Sequence, residues 1–385
     1  MQLARRSMRR GVAQSLLCAV LCAGASQAFA QGCVVTRGAG MPAAQFGSSP
    51  VDHRTKIKAR EDSSPRFDFG IGYRSLHSDR HFVGTEEQKE RQHEGSQVIN
   101  NSSFLDLSLS YRINDRYFVS LAVPYVDHDR SQVVRDNTRQ RNILERFHTQ
   151  ASGLGDLRFT GYMWARKPTM ETRTNLLIGL GVDAPTGDDD VEDNFKAYNG
   201  ATRQIVTRRQ TVDQSIQPGD GGWGAIIDLY GYHRFSDMVS MYASGLYTVT
   251  PEETSGVPTY RSNPFESEMS IADSYLLRLG TDVSLGDSRA LVLSLGGRWE
   301  GVPVHDLLGG SDGFRRPGYS VSVELGATYD FRNGFSAGLY YDSAVIRNRE
   351  RSVADRQLTA SSGVYRHGDA AFADDLLMAS MRVRF

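Results

Sequence analysis

The side chains able to do chemistry in this 385-residue chain are thinly spread, and their spacing says more than their number. Asp188-Asp189-Asp190 with Glu192, Asp193 and Asn194 is the densest acidic group, an oxygen-donor set of the kind that suits Ca²⁺. It lacks the ordered spacing of a dedicated calcium loop, so a solvated surface loop is the cheaper reading. The nine histidines are scattered, and no pair has metal-ligand spacing on one face. Asp127-His128-Asp129 sets a histidine between two acids, which a hydrophilic loop start also explains. No catalytic, metal or cofactor set is expected. A last group is ordered differently: Asp106, Arg112, Asp228, Arg278, Asp282, Arg298, Glu324 and Asp342, with Tyr230, Tyr242 and Tyr340, stand at alternate positions of segments whose other positions are apolar. Asp156, Arg158, Tyr162 and Tyr232 follow the same rule. Charges of both signs at period two either line a polar passage or pair with one another to fill and stiffen a narrow interior.

The elements that carry these residues are strands. Period-two alternation is seen in Phe67, Phe69, Ile71 and Tyr73, and in Leu105, Leu107, Leu109 and Tyr111. Ten more segments follow, ending with Leu377, Ala379, Met381, Val383 and Phe385. Their connections alternate in length. Short turns fall at Asn114-Asp115, Lys167–Glu171, Ser236-Asp237, Gly286–Ser288 and Arg332–Gly334. Long polar loops occupy Leu76–Ser102, Asp127–Gly153, Pro185–Gly221, Thr250–Ile271, Gly301–Pro317 and Ala344–Ala371. The apolar positions carry aromatics at both ends, with Tyr73, Tyr125, Trp223, Tyr247, Trp299, Tyr319 and Tyr341 near the long loops. Phe67, Tyr111, Tyr117, Phe235, Tyr329, Phe331, Phe335 and Phe385 lie near the short turns. Two aromatic rims around an apolar band fit a lipid-facing wall, whereas a soluble sandwich would bury its rings. The pattern predicts an all-β fold: a transmembrane antiparallel up-and-down β-barrel of about twelve strands, with long extracellular loops and short periplasmic turns.

Composition agrees. The mean hydropathy of -0.41 does not exclude the membrane, because a barrel hides half of every strand in a polar interior. Residues 1–30 read as a secretory signal peptide: Arg5, Arg6, Arg9 and Arg10, then the apolar Leu16–Ala23, then the small-x-small site Ala28-Phe29-Ala30. Its removal leaves 40 basic against 45 acidic residues, a formal charge of -5 that argues against a nucleic-acid partner. Of the three cysteines only Cys33 would remain, so no internal disulfide is expected, and a poor lipobox argues against lipidation. Residues 31–64 have no strand pattern and form a periplasmic leader or a lumen plug; the barrel is assigned to 65–385. The terminal Phe385 resembles the signature by which bacterial outer-membrane barrels are recognised for insertion, which makes the assembly machinery an expected partner. Outer-membrane lipids, lipopolysaccharide and a small-molecule solute are the others.

Three local patterns resemble the phenol-degradation meta-pathway, or transporter-like, family of outer-membrane barrels. They are Ser152-Gly153-Leu154-Gly155-Asp156-Leu157, Ala184-Pro185-Thr186-Gly187-Asp188 and Pro218-Gly219-Asp220-Gly221-Gly222-Trp223. The resemblance implies a passive channel or carrier for small, aromatic or hydrophobic molecules in the Gram-negative outer membrane, and it carries over no site residues. The glycines suit bulges and positive φ where strands leave the sheet, so the motifs read as rim architecture. The competing reading is a structural or surface-interaction barrel working through its long loops. An enzyme is not expected, since no His-x-Ser pair of the kind found in outer-membrane phospholipases stands on any strand.

Overall fold

The computed structural model describes residues 66–385 apart from 139, 170, 262, 287–289 and 332–333. The signal peptide, the 31–64 segment and Cys33 lie outside the described residues. Twelve antiparallel strands form the wall, joined in sequence order. They are β1 (Phe67–Val83), β2 (Ile99–Arg112), β3 (Tyr117–Arg135), β4 (Ile143–Leu154 and Leu157–Trp164), β5 (Thr174–Ala184) and β6 (Gly224–Arg234). After them come β7 (Val239–Val249), β8 (Ser274–Leu285), β9 (Leu291–Val302), β10 (Gly318–Asp330), β11 (Phe335–Arg349) and β12 (Asp375–Arg384).

The sheet closes on itself. β12 pairs with β11 on one side and with β1 on the other, in register Asp68↔Arg384 through Ser75↔Leu377. Phe67 and Phe385 exchange both backbone hydrogen bonds, at 2.9 and 3.0 Å, and their rings stack at 5.9 Å. No edge is left between the first and last strands, so each backbone group there has a partner without water, as lipid requires.

Alternation sets the two faces as expected. Leu105, Leu109, Leu121, Leu180, Leu279, Leu295 and Leu325 are exposed on the outside. Asp106, Ser108, Ser120, Asp282, Ser294 and Glu324, at the intervening positions, are buried. The rims are real contacts: Trp299 meets Tyr275 at 5.6 Å and Tyr319 at 6.0 Å, and Phe331 meets Tyr329 at 4.8 Å and Phe335 at 5.0 Å.

The long connections differ from the polar loops that hydropathy suggested. β1 runs on to Val83, and β3 and β4 continue as a hairpin between Asp127 and Gly153. The β5–β6 connection folds into a hairpin, Glu192–Asn199 against Gln204–Thr211. The β11–β12 connection holds helix α1 (Val353–Ser362), started by Ser352 and Asp355 capping each other and ended by Gly363 at φ 69°. A second apolar core forms above the barrel from Val134, Phe147, Phe195, Val212 and Ile216. Apolar residues of the β3–β4 and β5–β6 connections therefore pack together, a long-range arrangement that local hydropathy does not reveal.

Candidate functional site

Most of the sequence-predicted residues meet in one belt inside the barrel. Glu324 on β10 accepts from Arg278 of β8, through Nε at 2.7 Å and through Nη2, and from the Tyr242 hydroxyl of β7 at 2.9 Å. Arg298 on β9 donates to Glu300 at 2.5 Å, approaches Asp342 of β11 at 3.5 Å and reaches the Met378 sulfur of β12 at 3.7 Å. Contacts that skip a strand on a closed, outwardly apolar wall must cross the interior. Glu324, Asp342, Arg298, Arg278 and Tyr242 are all under 10% exposed, so the belt is buried within the wall.

On the facing wall Tyr162 of β4 donates to Asp228 of β6 at 2.8 Å, and Arg74 of β1 holds Asp106 of β2 by two bonds, at 2.7 and 3.1 Å. Asp282 accepts from Ser294 at 2.6 Å. Tyr230 lies in an aromatic cluster with Tyr162, Trp164, Tyr232 and Tyr242, and Phe118 stacks on Tyr162 at 4.6 Å. The Tyr340 hydroxyl meets Thr328 at 3.0 Å, and the Arg278 guanidinium lies 5.6 Å from the Tyr340 ring centre.

Glycine makes room for these rings. A Cβ built on Gly280 would stand 2.5 Å from the Tyr242 oxygen, and one on Gly296 2.8 Å from it. The tyrosine thus lies flat across two strands and reaches Glu324 on a third.

Two expected positions fall elsewhere. Arg112 is half-buried at the short-turn end of β2, where its backbone N–H bonds Arg66, and it is no part of the belt. Asp156 alternates correctly but sits in the break of β4, not in the belt. Its carboxylate accepts from the backbone N–H of Gly187 at 2.9 Å and of Asp220 at 3.1 Å. Gly155 N–H bonds the Pro124 carbonyl at 2.8 Å, and a Cβ on Gly187 would lie 2.8 Å from the Gly219 Cα. The three sequence motifs are thus one structure, tied by Asp156. Above this knot the first part of β4 is laddered to β3 alone. The motifs do build the rim, but of Gly153, Gly155, Gly187, Gly219 and Gly221 only Gly221 has a positive φ, 82°; Gly155, Gly187 and Gly219 are needed instead for close approach to Pro124 and to one another.

Alternation could have found two belt members that were missed. Arg74 is two residues beyond Gly72, which pairs with Asp106, and Glu300 is two beyond Arg298. A further centre had no sequence signal. Asp213, in the β5–β6 connection, accepts two bonds from Arg316 at 2.8 Å each and one from the Tyr260 hydroxyl at 2.6 Å. Arg130 of β3 lies 3.3 Å away and Arg261 3.8 Å away. Burial by itself would raise the Asp213 carboxyl, but Arg130, Arg316 and Arg261 outweigh it and hold the group well below the usual carboxylate range. Arg261 and Arg316 also lie over the Phe314 ring, at 3.9 and 4.5 Å from its centre. One carboxylate therefore ties a barrel strand to three extracellular connections. The acidic run 188–190 forms no cage: among the described residues no group of three or more His, Cys, Asp or Glu is placed to hold a metal ion.

No protein-family model matches the chain, and no curated protein matches it. Among solved structures, an outer membrane channel from Pseudomonas putida F1 is similar over 84% of this chain and 97% of its own, at 12% identity and a TM-score of 0.52. A Pseudomonas aeruginosa FadL homologue matches over 93% and 100% at 12% identity, with a TM-score of 0.43. The P. putida toluene transporter TodX matches over 89% and 94% at 11% identity, with a TM-score of 0.42. The first likeness agrees with the closed antiparallel wall: this chain has the fold of an outer-membrane β-barrel.

Proposed function

We propose that the protein is an outer-membrane channel for a small solute of aromatic or weakly polar character, held shut in this conformation by the belt. The observation that carries this reading is the chemistry of the interior. A barrel serving only as a wall can be filled with apolar side chains, which pack without desolvation cost. Here the interior carries ion pairs and tyrosine hydroxyls reaching between strands, a set of contacts that can exchange for water or solute. The aromatic cluster of Tyr162, Trp164, Tyr230 and Tyr232 offers ring faces to a flat solute. The likeness to an outer-membrane channel supports the same reading at the level of fold. The connections pack as a cap over the mouth, which suits control of access better than an adhesive role of free loops. Lipid and lipopolysaccharide contact along the apolar wall, and assembly through the strand ending at Phe385, belong to the same proposal.

Reconstituted protein in planar bilayers tests it. Wild type should show low, intermittent conductance. Glu324→Gln, which removes the charge that holds Arg278 and loosens Tyr242, should raise the open fraction. A barrel that stays sealed to ions and to small aromatics in both forms would overturn the channel reading and leave the fold intact.

A further inference from the structure

The short-turn rim of the barrel is basic over one arc, and its arginines stand at the last rungs of the ladder. The backbone N–H of Arg112 donates to the Arg66 carbonyl, that of Trp164 to the Arg116 carbonyl and that of Arg234 to the Arg173 carbonyl, each at 2.8 Å. These bonds join β1 to β2, β3 to β4 and β5 to β6 at one end of the wall, so Arg66, Arg116 and Arg173 stand at one level. With Arg112, Arg166 and Lys167 they make six cations between the start of β1 and the start of β5. Three carboxylates share the arc. Asp68 is taken by Arg382 at 3.0 Å and Arg384 at 2.8 Å, both from β12, and Asp115 by Lys167 at 2.7 Å, which leaves the exposed Glu171. Among the described residues no carboxylate lies within ion-pair distance of Arg66, Arg116, Arg166 or Arg173, and Arg166 and Arg173 are exposed. A guanidinium keeps its charge at any physiological pH. Two of these also touch the aromatic rim. Arg66 Nη1 donates to the Tyr111 hydroxyl at 3.2 Å, and the Arg116 guanidinium lies 5.7 Å from the Tyr117 ring centre. Such rings mark the depth at which hydrocarbon gives way to headgroups.

We propose that this arc, from Arg66 to Arg173, binds the headgroups of anionic phospholipids in the periplasmic leaflet. The proposal rests on the outer-membrane fold and goes beyond the channel reading, since it stands whether or not the lumen conducts. Planar guanidiniums match phosphate oxygens in geometry as well as charge, and clustered basic residues beside a membrane surface gather anionic lipid. The neighbouring wall suits the rest of such a molecule. Leu109 and Leu121 face each other across β2 and β3, two residues in from Tyr111 and four from Tyr117, and both are exposed on the outside, where acyl chains lie. A soluble anion has nothing to hold it at the aromatic rim, whereas a lipid phosphate is kept at that depth by its own chains. The position therefore favours the lipid as the source of the phosphate.

Native mass spectrometry of the detergent-solubilised barrel reads the bound lipid directly. With phosphatidylglycerol and phosphatidylcholine of the same chains offered in equal amounts, wild type should carry the anionic lipid several-fold more often. Arg116→Gln/Arg166→Gln/Arg173→Gln should abolish that preference. Arg203→Gln/Arg208→Gln/Arg209→Gln, which removes as many charges from the hairpin of the β5–β6 connection, should leave it unchanged. The shift in gel mobility between unheated and boiled protein reports whether each variant is folded. If the triple rim variant is not, the exposed Arg166→Gln and Arg173→Gln taken singly should each lower the preference. Equal binding of the two lipids by wild type, an unchanged preference in the folded rim variants, or an equal loss in the hairpin variant would overturn the proposal. So would a preference lost in inorganic phosphate but kept in chloride of equal ionic strength, which would assign the arc to a free anion. Absence of conductance in bilayers would defeat the channel reading and leave this result untouched.

Discussion

Tyr242 shows how much of this interior depends on single atoms. Its hydroxyl reaches Glu324 only because Gly280 and Gly296 leave the space across which the ring lies. Gly280→Ala should therefore push the ring off its path, cost about 1–3 kcal/mol of stability as an overpacked core substitution does, and loosen the Glu324 contact. The check is a lowered heat-modification temperature together with raised conductance, whereas the same substitution at Gly161, where a Cβ would meet nothing nearer than 3.9 Å, should do neither through packing. Glu324→Gln tests the same contact from the other side. The identities of Arg278, Glu324 and Asp342 as inward residues could be read from alternation, because period two is a local property of the strand. That Arg278 pairs with Glu324 was not legible, since β8 and β10 are not neighbours in the sheet and the two residues stand 46 positions apart. Arg74 and Glu300 obey the same alternation and were overlooked although the signal was present.

At the scale of elements, the interrupted strand β4 is the informative one. Gly155 and Asp156 leave the ladder, and the Asp156 carboxylate takes up two backbone N–H groups from the two ends of the β5–β6 connection. Asp156→Ala leaves both without that acceptor, and an unsatisfied backbone donor costs about 1–3 kcal/mol where water does not replace it. The expected result is faster hydrogen exchange at Gly187 and Asp220, with the β1–β12 seam unchanged. Asp156→Asn, which keeps an acceptor oxygen, should restore one of the two. Sequence likeness brought the three glycine motifs to attention separately; that they form one knot follows from strands β4, β5 and β6 meeting at the same rim.

For the whole molecule, the cap hangs on Asp213. Removing its charge with Asp213→Asn leaves Arg130, Arg261 and Arg316 to repel one another in a buried place, a loss of about 3–5 kcal/mol on the pattern of broken buried ion pairs. The cap should then become sensitive to added protease while the strands stay protected. The pH dependence has a definite sign. A carboxyl held below its unfolded value, near 4 for Asp, contributes stability that is present above that value and is lost as pH falls through the lower folded one. Asp369, which burial would raise but which His81, Arg91 and Arg316 pull down, behaves in the same way. Protease resistance of the cap should therefore persist from neutral pH to below about 4 and collapse only in stronger acid. Loss near pH 6 would show that some other group controls it.

The sequence by itself determined the class of the protein. Alternation, the rhythm of short and long connections and two aromatic rims are local features, and a membrane wall demands them. They gave the strand number, the two faces and the closing pair, because lipid leaves no other way to satisfy the backbone. The tertiary structure decided what the inward residues do to one another. It joined mixed charges into a buried belt, and three of the long connections into a cap held by Asp213. Ion pairing depends on distances between residues far apart in the chain, and period-two spacing fixes which way a side chain points without fixing what it meets.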